Sequence, residues 1–219
     1  MPIPAIHERF YESTRGQVVR LLRRGERTVE ELATSLELTS NAVRSHLAVL
    51  ERDGLIRSAG VRRSSGAGKP ATVYEMVPEA ETMLSRGYLP LLRSLLQELG
   101  GRMDSVSLHE LMRDTGERMA LEQPPLRATD FESRVEAASA LLAAIGAETM
   151  VERTERGVEI RGCSCALSAA VSERPEVCSA VQSLLTKVTG AEVREHCERG
   201  ERPRCRFEIL DSNGASGGD

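Results

Sequence analysis

Apolar residues recur at helical spacing over the first 55 positions, and this pattern predicts three short helices. The first predicted helix covers residues 13–24 and ends at Gly25. The second begins at Thr28, because Thr28 and Glu31 form the Thr-x-x-Glu pattern of a capping box. In such a box, each of the two side chains accepts a hydrogen bond from a backbone amide that the helix leaves free. The first 36 residues therefore predict two helices.

A third helix is predicted from about residue 41 to residue 52, with Thr39 or Ser40 as its N-cap and Gly54 as its end. Its apolar residues recur at i, i+4 and i+7, at Val43, Leu47 and Leu50. Because only a short break separates this helix from the second, the pair predicts a helix-turn-helix.

Two short strands are predicted after the third helix, at residues 55–57 and 72–76. The segment between them, residues 60–70, is rich in glycine and basic residues and is predicted to be a loop. Two strands with a basic tip after a helix-turn-helix form a wing. Pro78 marks the end of the predicted winged helix-turn-helix domain, residues 1–78.

The third helix carries side chains suited to reading DNA on the face opposite its apolar stripe. Arginine and asparagine are the side chains that best make paired hydrogen bonds to guanine and adenine. That face presents Asn41, Ser45, Ala48 and Arg52, with Arg44 on its flank. This pattern predicts a domain that binds double-stranded DNA. The alternative is a winged helix that serves only protein interaction, with its arginines as a solvated face.

The charge balance changes along the chain. Residues 1–78 hold 12 Lys and Arg against 9 Asp and Glu, whereas residues 79–219 hold 17 against 24. This division fits a weakly basic DNA-facing domain joined to an acidic one. In the predicted wing, Arg62, Arg63 and Lys69 are candidates for contacts with phosphates or a minor groove, which add affinity more than sequence choice.

The rest of the chain predicts a helical connector and then a mixed domain, so the whole is expected to be α+β. Residues 79–125 carry two apolar helical stripes, which offer a seam for a homodimer that matches a palindromic operator. Residues 126–210 alternate helices and strands and hold every cysteine, which predicts an α/β cysteine-bearing sensor domain. The tail, residues 211–219, is rich in Gly and Ser and is predicted to be disordered.

All five cysteines lie between residues 163 and 205, at Cys163, Cys165, Cys178, Cys197 and Cys205. Their spacing matches neither the paired C-x2-C of structural zinc sites nor a ferredoxin motif. Ligands this scattered must be gathered by the tertiary fold. Thiolates suit iron–sulfur clusters, Zn²⁺ and Cu⁺ alike. Buried inert thiols, or a small-molecule effector domain with structural cysteines, are the alternatives.

The stretch from Thr28 to Glu75 resembles the winged-helix domain of ArsR/DeoR-like regulators, and within them the Suf-operon repressor (SufR-like) group. The shared features are the pattern LA–AVR–HL–LE–GL and a wing that ends in Gly-Lys-Pro before a Tyr. The resemblance implies a transcriptional regulator, a repressor in that group, which binds operator DNA. It implies recognition-helix and wing residues at Ser40, Asn41, Arg44, Ser45, His46, Arg62, Arg63 and Lys69.

The same resemblance extends to the cysteine region. The segment from Cys165 to Cys178 is similar to the Cys-x12-Cys segment of that group, and Cys205 precedes a final strand as the group's later Cys does. Members of the group hold a [4Fe–4S] cluster, so the resemblance implies Cys165, Cys178 and Cys205 as its ligands. Cys197 and His196 are candidates for the fourth ligand, and Cys163 for a spare or substitute thiol. The sequence departs from the group at Ala166, where a Pro is usual. Zinc, another thiophilic ion or a small molecule as the signal is the alternative.

Several other classes of protein are not expected. The chain lacks a nucleophile motif, a dinucleotide-binding loop and a zinc-hydrolase signature, which argues against an enzyme. A C-x-C redox catalyst would leave the DNA-binding half unexplained. No apolar run approaches the about 20 residues of a membrane span. The N-terminus carries no signal-peptide pattern, so a cytoplasmic location is expected.

Overall fold

The computed structural model of the chain describes residues 5–63, 70–124 and 130–211. The chain forms two units, Met1–Arg86 and Gly87–Asp219. The candidate wing residue Lys69 lies outside the described residues, as do residues 212–219 of the predicted disordered tail. No described helix is both long enough and apolar enough to cross a membrane.

The first unit contains five described helices and a three-stranded antiparallel sheet. The helices are α1 (Ala5–Glu12), α2 (Thr14–Leu22), α3 (Val29–Leu36), α4 (Ser40–Arg52) and α5 (Pro78–Met83). The strands are β1 (Arg27–Thr28), β2 (Ile56–Arg62) and β3 (Ala71–Met76), in the order β1-β3-β2. The predicted winged helix-turn-helix is confirmed, with α3 and α4 as its two helices and β2 and β3 as its wing.

Local side-chain caps explain where the helices of this unit begin. The Thr28 amide donates to Glu31 Oε2 at 2.7 Å and the Glu31 amide donates to Thr28 Oγ1 at 3.2 Å, so the predicted capping box is present. Of the two candidate N-caps of α4, Thr39 is the one that accepts a hydrogen bond, from the Ala42 amide at 3.2 Å. These caps fix the start of the two helices of the helix-turn-helix.

The core of the first unit contains the apolar stripes that the sequence predicts. Val43, Leu47 and Leu50 of α4 are buried against residues of α2 and α3. Strand β2 is longer than predicted, since it continues to Arg62 after an irregularity between Ser58 and Gly60. The stripe turns one side of α4 inward and leaves its other side exposed.

The second unit contains a four-stranded antiparallel sheet with helices, which confirms the predicted α+β class. The larger helices are α6 (Tyr88–Arg102), α7 (Ser105–Leu121), α8 (Phe131–Ala144) and α10 (Cys178–Thr189), and α9 (Ser168–Val171) is a single turn followed by a 3-10 turn at Pro175–Val177. The strands are β4 (Thr149–Thr154), β5 (Gly157–Gly162), β6 (Val193–Glu195) and β7 (Arg206–Leu210), in the order β4-β5-β7-β6.

Helix α10 is central to this unit because it packs against α7, α8 and β6. Its approach to α7 depends on Gly116, which is buried: a Cβ at this position would lie 2.9 Å from Ser183 Cβ and closer still to the Ala180 carbonyl oxygen. A second core joins α8 and α10 to one face of the sheet, through residues such as Leu142, Ile160 and Phe207. This packing holds the N-terminus of α10 beside the loops that precede β7 and follow β6.

Candidate functional site

The candidate recognition residues lie at the start of α4. Asn41, Arg44 and Ser45 are exposed, whereas Ser40 and His46 are half-buried. Ser45 Oγ donates a hydrogen bond to the Asn41 carbonyl at 3.1 Å. Arg44 lies 3.6 Å from the Glu30 carboxylate, with both side chains about 60% exposed. A pair this exposed is weak, so the Arg44 guanidinium remains accessible to a DNA base or phosphate.

The wing residues differ in how they are held. Arg62 forms ion pairs with Glu31 at 2.8 Å and with Glu26 at 2.9 Å. The hydrogen bond that Arg62 donates to Glu26, followed by the negative charge of Glu31, raises the pKa of Arg62 above its ordinary value. Arg63 is exposed. The sequence analysis missed the two acidic partners, which lie 31 and 36 residues away along the chain.

Four of the five thiols come together in the second unit, from four separate segments. Cys165 precedes α9, Cys178 is the first residue of α10, Cys197 follows β6 and Cys205 precedes β7. The thiols of Cys178 and Cys197, of Cys197 and Cys205, and of Cys205 and Cys165 lie close enough to shift one another's pKa. The four thiols therefore lie together in one group, here called the thiol row.

Two members of the thiol row lie beside a carboxylate. The ligand atoms of Cys178, Glu195 and Cys197 all lie within 4.8 Å of one another. Glu195 Oε1 accepts a hydrogen bond from the Cys197 amide at 2.9 Å, and Glu195 Oε2 accepts one from Arg199 at 3.0 Å. The Cys197 sulfur accepts a hydrogen bond from the Arg206 amide at 3.3 Å. Glu195, the last residue of β6, was not among the residues expected from the sequence.

Burial and mutual hydrogen bonding perturb the thiols. The contact with Cys197, together with burial, raises the pKa of Cys178 well above its ordinary range. The contact with Cys165 raises the pKa of Cys205 to about 12. For Cys197 the contact with Cys178 lowers the pKa, but the contact with Cys205 and burial outweigh it and raise the pKa to about 12. The hydrogen bond with Cys205 lowers the pKa of Cys165.

Two other candidates lie apart from the thiol row. The Cys163 side chain is exposed, and its amide donates to the Glu148 carbonyl at 2.8 Å. His196 is exposed, with its Nε2 3.5 Å from the Glu208 carboxylate. The thiol row thus joins Cys165, Cys178 and Cys205 with Cys197 rather than with His196 or Cys163.

The match to a known protein family lies within the first unit. Residues 12–58 match the family described as bacterial regulatory protein, arsR family. No curated protein matches the chain. Among solved structures, the transcriptional regulator HlyU from Vibrio vulnificus is 32% identical, over 37% of this chain and 73% of HlyU, with a TM-score of 0.26.

Two further solved structures are similar over part of the chain. Reduced HlyU from Vibrio cholerae is 29% identical, over 42% of this chain and 86% of that protein, with a TM-score of 0.27. The transcriptional regulator BldR from Sulfolobus solfataricus is 20% identical, over 54% of this chain and 84% of BldR, with a TM-score of 0.29.

The family match covers α2, α3 and α4 and the first residues of the wing. The helix-turn-helix and wing of the first unit have the order and the caps that such a domain requires. The chain therefore carries a DNA-binding domain of the arsR family of bacterial regulatory proteins.

Proposed function

We propose that α4 reads operator DNA through Asn41, Arg44 and Ser45, with Ser40 and His46 at the edge of the contact. The exposed guanidinium of Arg44 supports this role, because a bidentate contact to a base edge needs an arginine that is not held elsewhere. Arg44→Ala is expected to weaken binding to a selected operator by about 1–3 kcal/mol and to reduce sequence preference. Arg24→Ala, which removes an exposed arginine just after α2, is the control. Equal losses in both variants would move base reading away from the start of α4.

We also propose that the protein acts as a homodimer through α6. Tyr88, Leu91, Leu92 and Leu95 recur at i, i+3, i+4 and i+7, and each is at least 40% exposed. Apolar surface of this kind gains free energy when a second copy covers it. A two-fold dimer of DNA-binding units also matches a palindromic operator.

The test of the dimer uses two apolar residues of similar exposure that lie on different helices. Leu91→Glu, in the α6 stripe, is expected to shift the protein to a monomer in light scattering. Val106→Glu, at a residue of α7 that is equally exposed, is expected to leave the dimer intact. If the Leu91→Glu protein is still a dimer, the dimer interface does not lie on the α6 stripe.

We propose further that Cys165, Cys178, Cys197 and Cys205 hold an iron–sulfur cluster, and that its presence controls operator affinity. The donor set supports this assignment, because four thiols suit an iron–sulfur cluster. Four thiolates would also suit a single zinc ion, which is the alternative occupant of the same residues.

The cluster would supply a redox-sensitive and oxidant-labile centre, while the protein supplies the coupling. Ligands from four segments join the start of α9, the start of α10 and the two loops beside β6 and β7. Metal-binding free energy becomes folding free energy when the ligands come from separate segments. Loss of ligation is therefore expected to loosen this part of the second unit and, through the dimer, to change the spacing of the DNA-binding units.

Cysteine variants test the assignment. Anaerobic purification, an absorption spectrum, and iron and sulfide analysis show whether a cluster is bound. Cys178→Ser and Cys197→Ser are both expected to abolish cluster absorption and to give the operator affinity of the cluster-free protein. Cys163→Ser is the matched control and should change neither. If the purified protein is colourless and contains one zinc ion, the thiols bind zinc and not an iron–sulfur cluster.

A further inference from the structure

The segment between Cys165 and Cys178 is attached to α6. Glu173 forms an ion pair with Arg93 of α6, whose Nε donates to Glu173 Oε1 at 2.7 Å. Gln97, one turn further along α6, donates to Glu173 Oε2 at 2.8 Å. The Glu173 side chain is only 14% exposed, so solvent screens these interactions less than on an open surface.

The next residue of the segment, Arg174, lies against the same helix. Its Nε donates to the carbonyl oxygen of Leu96 at 3.3 Å. Its guanidinium also covers Gly100 so closely that a Cβ there would lie inside the 3.0 Å that real Cβ atoms keep. The neighbouring Gly101 has open space around its Cβ position. Gly100 is thus the point on α6 where this close contact requires glycine.

A shared core reinforces the attachment. Leu96, the buried residue of α6, packs in one cluster with Ala170, Val171, Val177 and Cys178. Cys165 and Cys197 are partly buried against the same cluster. The thiol row and the buried side of α6 therefore belong to one packed body.

The other side of α6 carries the exposed apolar stripe of Tyr88, Leu91, Leu92 and Leu95. This helix also begins directly after the DNA-binding unit, which ends at Arg86. We propose that Glu173 and Arg174 are positioning residues that transmit the state of the thiol row to α6 and so to the DNA-binding units. This inference rests on the proposed function and names the element through which regulation passes.

The transmission depends on whether the segment between Cys165 and Cys178 is held at both of its ends or at neither. When Cys165 and Cys178 are both ligated, the segment is fixed at both ends and keeps Glu173 and Arg174 on α6. Without ligation, the segment is held only by its own contacts, and α6 loses two polar anchors whenever the segment moves. Regulation requires such a difference in contacts between two states.

Two glycines on one helix provide a matched test. Gly100→Ala places a methyl group where the Arg174 guanidinium lies and displaces it from α6, whereas Gly101→Ala adds the same group in open space. Glu173→Gln, which removes the charge that pairs with Arg93, is the second test variant. All are full-length proteins, loaded anaerobically with iron and sulfide and checked by absorption. The DNA is a duplex selected from a random-sequence pool by the wild-type protein.

The measured quantity is the ratio of operator affinities with and without cluster. We expect a ratio of at least about 5-fold for the wild type and Gly101→Ala, in line with usual coupling between sites. For Gly100→Ala and Glu173→Gln the ratio should fall below about 2-fold while cluster absorption is retained. If both variants keep the wild-type ratio, Glu173 and Arg174 transmit nothing and the inference is overturned.

Hydrogen exchange of the α6 amides separates this inference from the proposed function. Cluster removal should increase exchange in α6 of the wild type and of Gly101→Ala, but should change it little in Gly100→Ala. An α6 response of this kind without any change in DNA affinity would support the transmission contact and refute cluster control of DNA binding. An α6 that exchanges identically in wild-type protein with and without cluster would overturn the transmission contact.

Discussion

The close approach of α7 and α10 makes Gly116→Ala a sensitive probe of the second unit. A Cβ at this position would meet two atoms of α10 at 2.9 Å and the Ala180 carbonyl oxygen closer still. Ordinary contact begins at 3.4 Å. The two atoms at 2.9 Å therefore require the helices to separate by about 0.5 Å, and the closer Ala180 oxygen requires more. The obstructing atoms include backbone, which cannot rotate away. Overpacking of this kind costs about 1–3 kcal/mol.

Alanine also has a better helix propensity than glycine by up to about 1 kcal/mol, which partly hides the steric cost. Gly101→Ala makes the same chemical change in open space and provides the comparison. The difference in unfolding free energy between the two variants should therefore approach the steric cost alone. Thermal unfolding of the full-length protein should place Gly116→Ala below Gly101→Ala, by about 2–4 °C for each kcal/mol. Because α10 begins at Cys178, Gly116→Ala should also lower iron uptake. Equal or higher thermal stability of Gly116→Ala would refute this description of the helix pair.

Three further predictions concern charged residues. Arg63→Ala should lower the dependence of DNA affinity on salt by about one counterion, and Lys69→Ala should do so equally for operator and random DNA. Arg62→Ala should leave that slope unchanged and lower the stability of the first unit only slightly, since Arg62 is already paired with Glu26 and Glu31. A slope lowered by one would make Arg62 a phosphate contact. Hydrogen bonds from Arg206 hold the pKa of the buried Glu159 below its ordinary 4.5. The ionised Glu159 side chain therefore stabilises the fold above pH 4.5, and this stabilisation is lost as the pH falls through the pKa of Glu159 in the folded protein. Glu159→Gln should thus be less stable than wild type in thermal unfolding at pH 7, and the difference should shrink in acid; a constant difference would contradict the ionic role.

Local signals made the first unit predictable from sequence. The capping box of Thr28 and Glu31 and the stripe of Val43, Leu47 and Leu50 depend on residues within one or two helical turns of each other. The end of β2 was missed because Gly60 has the composition of a loop, although the strand passes through it with an irregular register. The local sequence pattern therefore predicts the helices more accurately than it predicts the length of the wing strands.

The arrangement of the candidate sites depends on contacts that no local pattern contains. The resemblance to a known group implies Cys165, Cys178 and Cys205, but it leaves open which residue joins them. Cys197 does so because β6 and β7 are neighbours in the sheet. The anchors Glu173 and Arg174 reach residues about 76–80 positions away, a distance over which composition and periodicity carry no information.

Operator affinity with and without the cluster tests the central claim most directly. The full-length protein is purified without air, loaded with iron and sulfide, and titrated with a selected operator duplex before and after a chelator removes the cluster. The account predicts that the two affinities differ by about 5–150-fold, and that Cys178→Ser binds like the stripped protein. Equal affinities of a demonstrably loaded and a stripped protein would contradict it.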